Sequence, residues 1–371
     1  MSLYKNDNAE FNIFPDNIPN KGILFDDKSK ENRSGHLGHA MVEYAPGKIL
    51  DFFSNCDGDA NGGHNGFGWM ELRRSEDSGE TWTDKEPFPY SKNLYDMNVG
   101  VTALCEKAVC TDDGKIIVFN LICDINENNR IGWEPFGVPT YVISTDNGKT
   151  WSKAEFFGDA PGRIYDVQKK DGVIYVLIQL GKDPVKVATE YKLYVSRDNG
   201  NTFEERSILP FKRGFCDHTF YGTMGWLPDG KMIVYTYNQL YKGELVNIQE
   251  YDLPYAISDD DGKTWSEVKY AHFKKRMRNP QLVKFKNTYF MIGRSGSFGI
   301  EEASGHNIIY CSNDGINWDD GQYLAIRTAC WAAYSNTLVV HDKDGNDDKL
   351  LIQASYAYDL HKTNILHWWV K

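Results

Sequence analysis

The stretch Ser75-Glu76-Asp77-Ser78-Gly79-Glu80-Thr81-Trp82 decides how the chain reads, because the chain repeats it. Ser144 to Trp151, Ser196 to Phe203 and Ser258 to Trp265 keep the order Ser-x-Asp-x-Gly-x-Thr-aromatic. Ser312-Asn313-Asp314-Gly315-Ile316-Asn317-Trp318 is a fifth copy, one residue short. The Asp positions lie roughly 50 to 70 residues apart, a period typical of repeat architectures. The motif is turn chemistry: Asp accepts from following backbone N–H groups, Gly supplies positive φ, and the aromatic ring packs the loop onto a sheet.

Each copy follows a short apolar segment such as Tyr141-Val142-Ile143 or Leu193-Tyr194-Val195. Upstream of each lies a hairpin signal: Pro46-Gly47, Asp113-Gly114, Asp171-Gly172, Asp229-Gly230 and Lys286-Asn287. One unit therefore reads strand, tight turn, strand, variable loop, strand, Asp motif, strand, which is a four-stranded antiparallel blade. Six units follow, with inner strands beginning near His39, Thr102, Ile164, Phe220, Gln281 and Tyr334. The last, residues 331–371, lacks a fourth strand, and residues 11–25 are expected to supply it and close the ring, leaving no sheet edge. The expected fold is all-β, a six-bladed β-propeller of four-stranded antiparallel blades in a single domain over residues 1–371.

Composition narrows the partners. Of 371 residues 41% are apolar and 25% charged, as in ordinary globular proteins. Asp plus Glu number 52 against 41 Lys plus Arg, a net charge of −11, which argues against nucleic acid and anionic membranes as partners. The longest apolar run, Ile116 to Ile125, is broken by Asn120 and Asp124, so no membrane-spanning helix is expected. Seven irregularly spaced cysteines with no CxxC pair read as free thiols rather than a disulfide framework. With the polar start Met1 to Glu10 they suggest a cytoplasmic protein, or a secreted one if a leader precedes this start.

The five boxes and the blade rhythm resemble the sialidase (neuraminidase) superfamily, six-bladed propellers with BNR or Asp-box repeats. The resemblance implies that the boxes are structural and lie opposite the ligand face, so Asp77, Asp146, Asp198, Asp260 and Asp314 are not catalytic candidates. It also implies exo-acting cleavage of a glycoside with a terminal acidic sugar. A carboxylate nucleophile would be repelled by such a substrate, so a Tyr is used, with a Glu as its base. Ala333-Tyr334-Ser335-Asn336-Thr337-Leu338 is similar to the segment around that nucleophile, making Tyr334 the candidate. The first-blade loop, Ser54 to Gly68, offers Asp57 or Asp59 as acid/base. Arg278 and Arg294, with Arg33 as a third, fit a carboxylate clamp, since a guanidinium grips a carboxylate through paired hydrogen bonds.

Two family features are missing: an N-terminal Arg-Ile-Pro, and a Glu in the fourth inner strand, His218-Thr219-Phe220-Tyr221-Gly222-Thr223, for which Glu250 on a later strand is the candidate substitute. Histidines stand out instead. His36, His39 and His64 fall in first-blade connections and His218 opens the fourth blade, so a His base with a Tyr acid would suit a uronate-specific lyase. Three histidines with Asp217 can also be imagined around a metal, but without diagnostic spacing no metal or other cofactor is assigned. Arg163 stands on the same face, and Trp69 and Trp133 there offer stacking surfaces for sugar rings. The expected partner is an acidic carbohydrate, with a non-catalytic carbohydrate-binding propeller as the reading outside enzymology.

Overall fold

Alternating apolar segments separated by two-residue turns fold as six antiparallel sheets, each entered from its innermost strand. The computed structural model describes residues 3–5, 10–12, 23–36, 38–57, 67–124, 136–183, 188–211, 217–241, 247–249, 252–295, 307–325, 334–359 and 362–371. Blade 1 runs His39–Ala45, Lys48–Cys56, Gly68–Ser75 and Glu86–Pro87, followed by the helix Pro89–Asp96. Blade 2 runs Val101–Cys110, Ile116–Asp124, Thr140–Ser144 and Glu155–Phe156. Blade 3 runs Gly162–Lys170, Val173–Asp183, Ala188–Ser196 and Glu204–Ile208. In blade 4, Asp217–Trp226, Met232–Tyr241, Asp252–Ser258 and Lys269–His272 are joined by a short strand, Asn247–Gln249, on the second.

Blade 5 comprises Arg278–Phe285, Thr288–Arg294, Asn307–Ser312 and Gln322–Ala325. Blade 6 has Ser335–His341, Asp347–Ala357 and Thr363–Val370, and its outermost strand is Ile23–Asp26 from the other end of the chain. Of the expected closing segment 11–25, the Ile23–Asp26 end pairs with the last blade and Glu10–Asn12 pairs with Leu3–Lys5, while residues 13–22 lie outside the described residues. Neighbouring blades touch through their first strands all the way round, last against first.

The Asp boxes lock the outer turns. Asp77 accepts the Thr81 N–H at 2.8 Å and its hydroxyl at 2.6 Å, while Ser75 Oγ accepts the Gly79 N–H at 2.7 Å. Asp146, Asp198 and Asp260 repeat this set, and Asp314 makes the shorter version with Ile316 and Asn317. The Thr81 hydroxyl and backbone bonds hold the Asp77 carboxyl down at about 2, and those of Thr202 do the same for Asp198. Ser78 N–H donates to Gly47 O, so the boxes and the strand-one hairpins share one face.

The first and last blades meet at a polar seam. Lys28, wholly buried, pairs with Asp26 and Glu71, and Arg73 also reaches Asp26. Asp51 pairs with His367 at 2.7 Å, and Phe25 of the closing strand stacks on the His367 ring. Cys56, Cys105, Cys110 and Cys311 are free thiols, and burial pushes Cys56 up to about 12. Among the described residues no helix is long and apolar enough to cross a membrane.

Candidate functional site

The inner strands of four successive blades break register near their first residues. The shifts fall between Cys105 and Lys107, Ile164 and Asp166, Phe220 and Thr223, and Arg278 and Gln281. A bulge re-aims the extra residue. Glu106, Tyr165 and Tyr221 occupy such positions, and Tyr221 has a left-handed φ of 48°, a conformation costly for a non-glycine residue. These side chains collect above a floor of hydrogen bonds that touches all six blades. Lys107 Nζ donates to Gln281 Oε1 at 2.6 Å and Asn336 Oδ1 at 2.9 Å and lies 3.7 Å from Asp166. Asp166 accepts from Thr223 Oγ1 and Met224 N, Thr223 Oγ1 accepts from Leu282 N, and Asn336 Nδ2 donates to the His39 carbonyl. Below this floor, on the Asp-box face, lies a cavity of about 860 Å³.

Above the floor the Tyr221 and Tyr334 hydroxyls are 2.9 Å apart. Arg163 binds Glu106 bidentately, at 2.8 and 3.1 Å from Nη2, and its guanidinium carbon lies 5.3 Å from the ring centres of both Tyr221 and Tyr334. Tyr165 lies 5.2 Å from the same guanidinium. Arg278 and Arg294 are register partners on the first two strands of blade 5, exposed by only 8% and 3%. Arg278 donates to Tyr237 Oη at 3.4 Å, and Arg294 sits 5.7 Å from the Tyr334 ring. Burial opposes the charge of Arg278, but Tyr237, Tyr221 and Tyr334 outweigh it and hold the group above its usual range. Arg294 bears the cost of the pair: burial, then the charge of Arg278, lower it to about 10.

The other sequence candidates divide. Arg33 does not join the clamp: it donates to Asn55 Oδ1 at 2.7 Å and to the Asn55 carbonyl, and lies over Trp69. Trp69 is packed among Arg33, Lys92 and Tyr95, so its faces are occupied by the protein. Arg163, expected to bind substrate, pairs with Glu106. His39 is a seam residue: Gln353 Oε1 and Ser355 Oγ each lie 3.0 Å from its ring nitrogens, and burial holds it down at about 3, which suits no base. His36 is fully buried with Nδ1 on Ser34 Oγ at 2.9 Å. Asp57 accepts the Phe67 N–H at 3.2 Å, tying the neck of its loop. His218 stands in strand Asp217–Trp226 opposite Gln239; its side chain, and Asp59, His64, Trp133 and Glu250 altogether, lie outside the described residues. Among the described residues no group of three or more His, Cys, Asp or Glu is placed to hold a metal.

Residues 161–345 match the family described as BNR repeat-like domain, and residues 142–153, spanning the Asp146 box, match the BNR/Asp-box repeat. The chain is a BNR/Asp-box propeller. Solved structures carry the same fold at low identity. A protein of unknown function from Dyadobacter fermentans has a TM-score of 0.68 at 14% identity, with 91% of this chain and 94% of that one covered. The Hadza microbial sialidase Hz136 has a TM-score of 0.61 at 16% identity, over 93% of this chain and 68% of that one. The Penicillium chrysogenum alpha-L-arabinanase complexed with arabinobiose has a TM-score of 0.57 at 12% identity, over 90% and 92%. No curated protein sequence matches the chain.

Two residues of this Asp-box propeller's site escape a reading by alternation. Glu106 follows four residues that are mostly apolar and precedes Lys107, so two adjacent charges in an inner strand were the available signal of a bulge. Tyr221 precedes Gly222 in the same role, in the fourth inner strand, where the family resemblance implies a Glu.

Proposed function

We propose that this Asp-box propeller cleaves the terminal sugar from an acidic glycan. The observation that carries the reading is the buried Arg278–Arg294 rung beside the Tyr221–Tyr334 hydroxyl pair. Two guanidiniums side by side suit a planar anion such as a sugar carboxylate. Tyr334, next to that anion, is the nucleophile, because a neutral phenol approaches an anionic sugar without the repulsion a carboxylate would meet. The bond from the anomeric carbon to the leaving oxygen breaks as Tyr334 attacks and passes its phenolic proton to a carboxylate base, the role for which Glu250 is the sequence candidate. The leaving oxygen takes its proton from Asp57 or Asp59, and water later releases the sugar.

One observation favours a second reading. The Tyr334 hydroxyl meets another phenol, Tyr221, and such a pair suits elimination: one, as tyrosinate, takes the proton beside a uronate carboxylate and the other gives its proton to the leaving oxygen. The carbon–hydrogen electrons then form a double bond as the adjacent carbon–oxygen bond breaks, so a lyase needs no hydrolytic water.

The deciding assay incubates wild type and Tyr334→Phe with a fluorogenic α-sialoside and, separately, with uronate-containing oligosaccharides. Fluorophore release that collapses in the variant supports hydrolysis. An ultraviolet-absorbing unsaturated product supports elimination. Binding of these sugars without turnover supports a carbohydrate-binding propeller.

A further inference from the structure

The floor of hydrogen bonds gives the inner strands a common reference. Lys107, Asp166, Thr223, Gln281 and Asn336 belong to it, one from each of blades 2 to 6. Just ahead of them in sequence stand Glu106, Tyr165, Tyr221, Asn279 and Tyr334. Glu106 and Tyr165 meet Arg163, Tyr221 meets Tyr334, and Asn279 falls between these two tyrosines in ring order. Its backbone repeats that of Tyr221. Both lie two residues ahead of the floor residue and inside the register shift of their strand, with φ of 52° for Asn279 and 48° for Tyr221.

Asn279 is exposed by only 3%, and neither its Oδ1 nor its Nδ2 meets a hydrogen-bond partner among the described residues. A second carboxamide shares both properties. Asn307 is the register partner of Arg294, so Arg278, Arg294 and Asn307 form one rung across blade 5 with their side chains on one face. Asn307 is wholly buried, and its Oδ1 and Nδ2 are likewise unpartnered among the described residues. Buried carboxamides are ordinarily hydrogen-bonded, and an unpaired one is costly. One asparagine adjoins Arg278 along the chain, and the other adjoins Arg294 across the sheet.

The two kinds of atom set what such groups can take: Nδ2 donates and Oδ1 accepts. A bare carboxylate or sulfate on the rung satisfies Nδ2 but brings no proton for Oδ1. A ligand that satisfies both carries donors beside its anionic group. An ammonium is disfavoured next to two guanidiniums, whereas a sugar hydroxyl is neutral and both donates and accepts.

We infer that Asn279 and Asn307 are specificity-determining residues, whose carboxamides take hydroxyls of a sugar acid held by its carboxylate on Arg278 and Arg294. The inference deepens the acidic-glycan reading and rests on it. The site then selects a polyhydroxylated acid over a bare anion of the same charge.

The test is titration calorimetry of the full chain with N-acetylneuraminic acid, glucuronate and tetrahydropyran-2-carboxylate, which keeps the carboxylate beside a ring oxygen and lacks every hydroxyl. Wild type is expected to bind at least one of the sugars about 100-fold or more tighter than the hydroxyl-free acid. Asn279→Gly suits the left-handed backbone, and Asn307→Leu keeps a similar volume. Each should weaken that sugar roughly 10-fold and leave the hydroxyl-free acid within about 2-fold. Ligand-free Asn307→Leu should melt no lower than wild type, because it removes two unpaired polar atoms. A variant that melts lower and binds sugar and hydroxyl-free acid equally weakly marks a structural role and overturns the inference. Sugar affinity unchanged in both variants overturns it too and leaves the acidic-glycan reading in place. Should the variants fail to fold, wild type decides alone: the 100-fold preference supports the inference, and equal affinity for sugar and hydroxyl-free acid overturns it. Binding of none of the three overturns the acidic-glycan reading and the inference with it.

Discussion

Arg278 and Arg294 face each other across one rung of blade 5, so two buried guanidiniums share a space that the fold must stabilise against their own repulsion. The rung is entered from both sides of a tight hairpin, Lys286-Asn287, at the far end of the same two strands. In the proposed reading the rung trades stability for the ability to hold an anion.

Removing one of the two charges therefore acts in opposite directions on stability and function. Arg294→Gln is expected to raise the melting temperature by about 2–5 °C, since it relieves a group whose ionisation is already lowered to about 10. The same change should cut kcat/KM on an acidic glycan by roughly 100-fold or more, the scale of a lost charged hydrogen bond. Calorimetric melting and steady-state kinetics check the pair of effects. A variant that is both less stable and fully active would contradict the assigned roles.

Glu106→Gln tests the neighbouring ion pair. Arg163 is buried and Glu106 nearly so, and removing the charge of Glu106 takes away the bidentate partner of a buried cation, at a cost of roughly 3–5 kcal/mol. Adding Arg163→Met to Glu106→Gln removes that cation and should recover most of the loss in urea denaturation. Equal stability of the single and double variants would mean that the pair is not coupled.

His39 gives a pH signature. Its folded-state value of about 3 lies below the ordinary 6.5, so between these values the unfolded chain binds a proton that the folded protein refuses. Stability is unaffected by this group above pH 6.5 and falls by roughly 1.4 kcal/mol per pH unit as pH drops from there toward 3. His39→Gln should flatten that slope, read from urea midpoints at several pH values. At pH 7.5 the variant should keep its activity, whereas loss of a general base would cost roughly 10²–10⁴-fold.

The histidine result shows what a one-dimensional reading misses. The five boxes made the fold legible because each is a self-contained turn whose hydrogen bonds span no more than four residues, as in Asp77 to Thr81. Tyr334, Arg278 and Arg294 were legible because they stand where inner strands begin or where their partners end. His39 meets Gln353 and Ser355 from the opposite end of the chain, and nothing local to Gly38-His39 announces that seam. Glu106 and Tyr221 were hidden by bulges, which reverse the in-and-out order on which strand reading depends.

The same seam supplies a stability prediction through Gly79. Its φ of +80° is left-handed, and a Cβ there would meet the Trp369 ring of blade 6 at 2.5 Å. Lys349 packs over the Trp369 ring at 4.1 Å and is itself tied to Glu80, which resists a shift of the ring. Gly114 has the same backbone, φ +84°, with nothing within 4 Å of the added carbon. Gly114→Ala should therefore cost only the left-handed strain, about 1–2 kcal/mol. Gly79→Ala should cost that plus an overpacking penalty of about 1–3 kcal/mol, because it pushes the first blade off the last. Urea denaturation of both variants separates the two contributions by subtraction. A larger loss in Gly79→Ala identifies the box turn of blade 1 as part of the ring closure, and equal losses would show that Trp369 yields and that the seam is held by its buried charges instead.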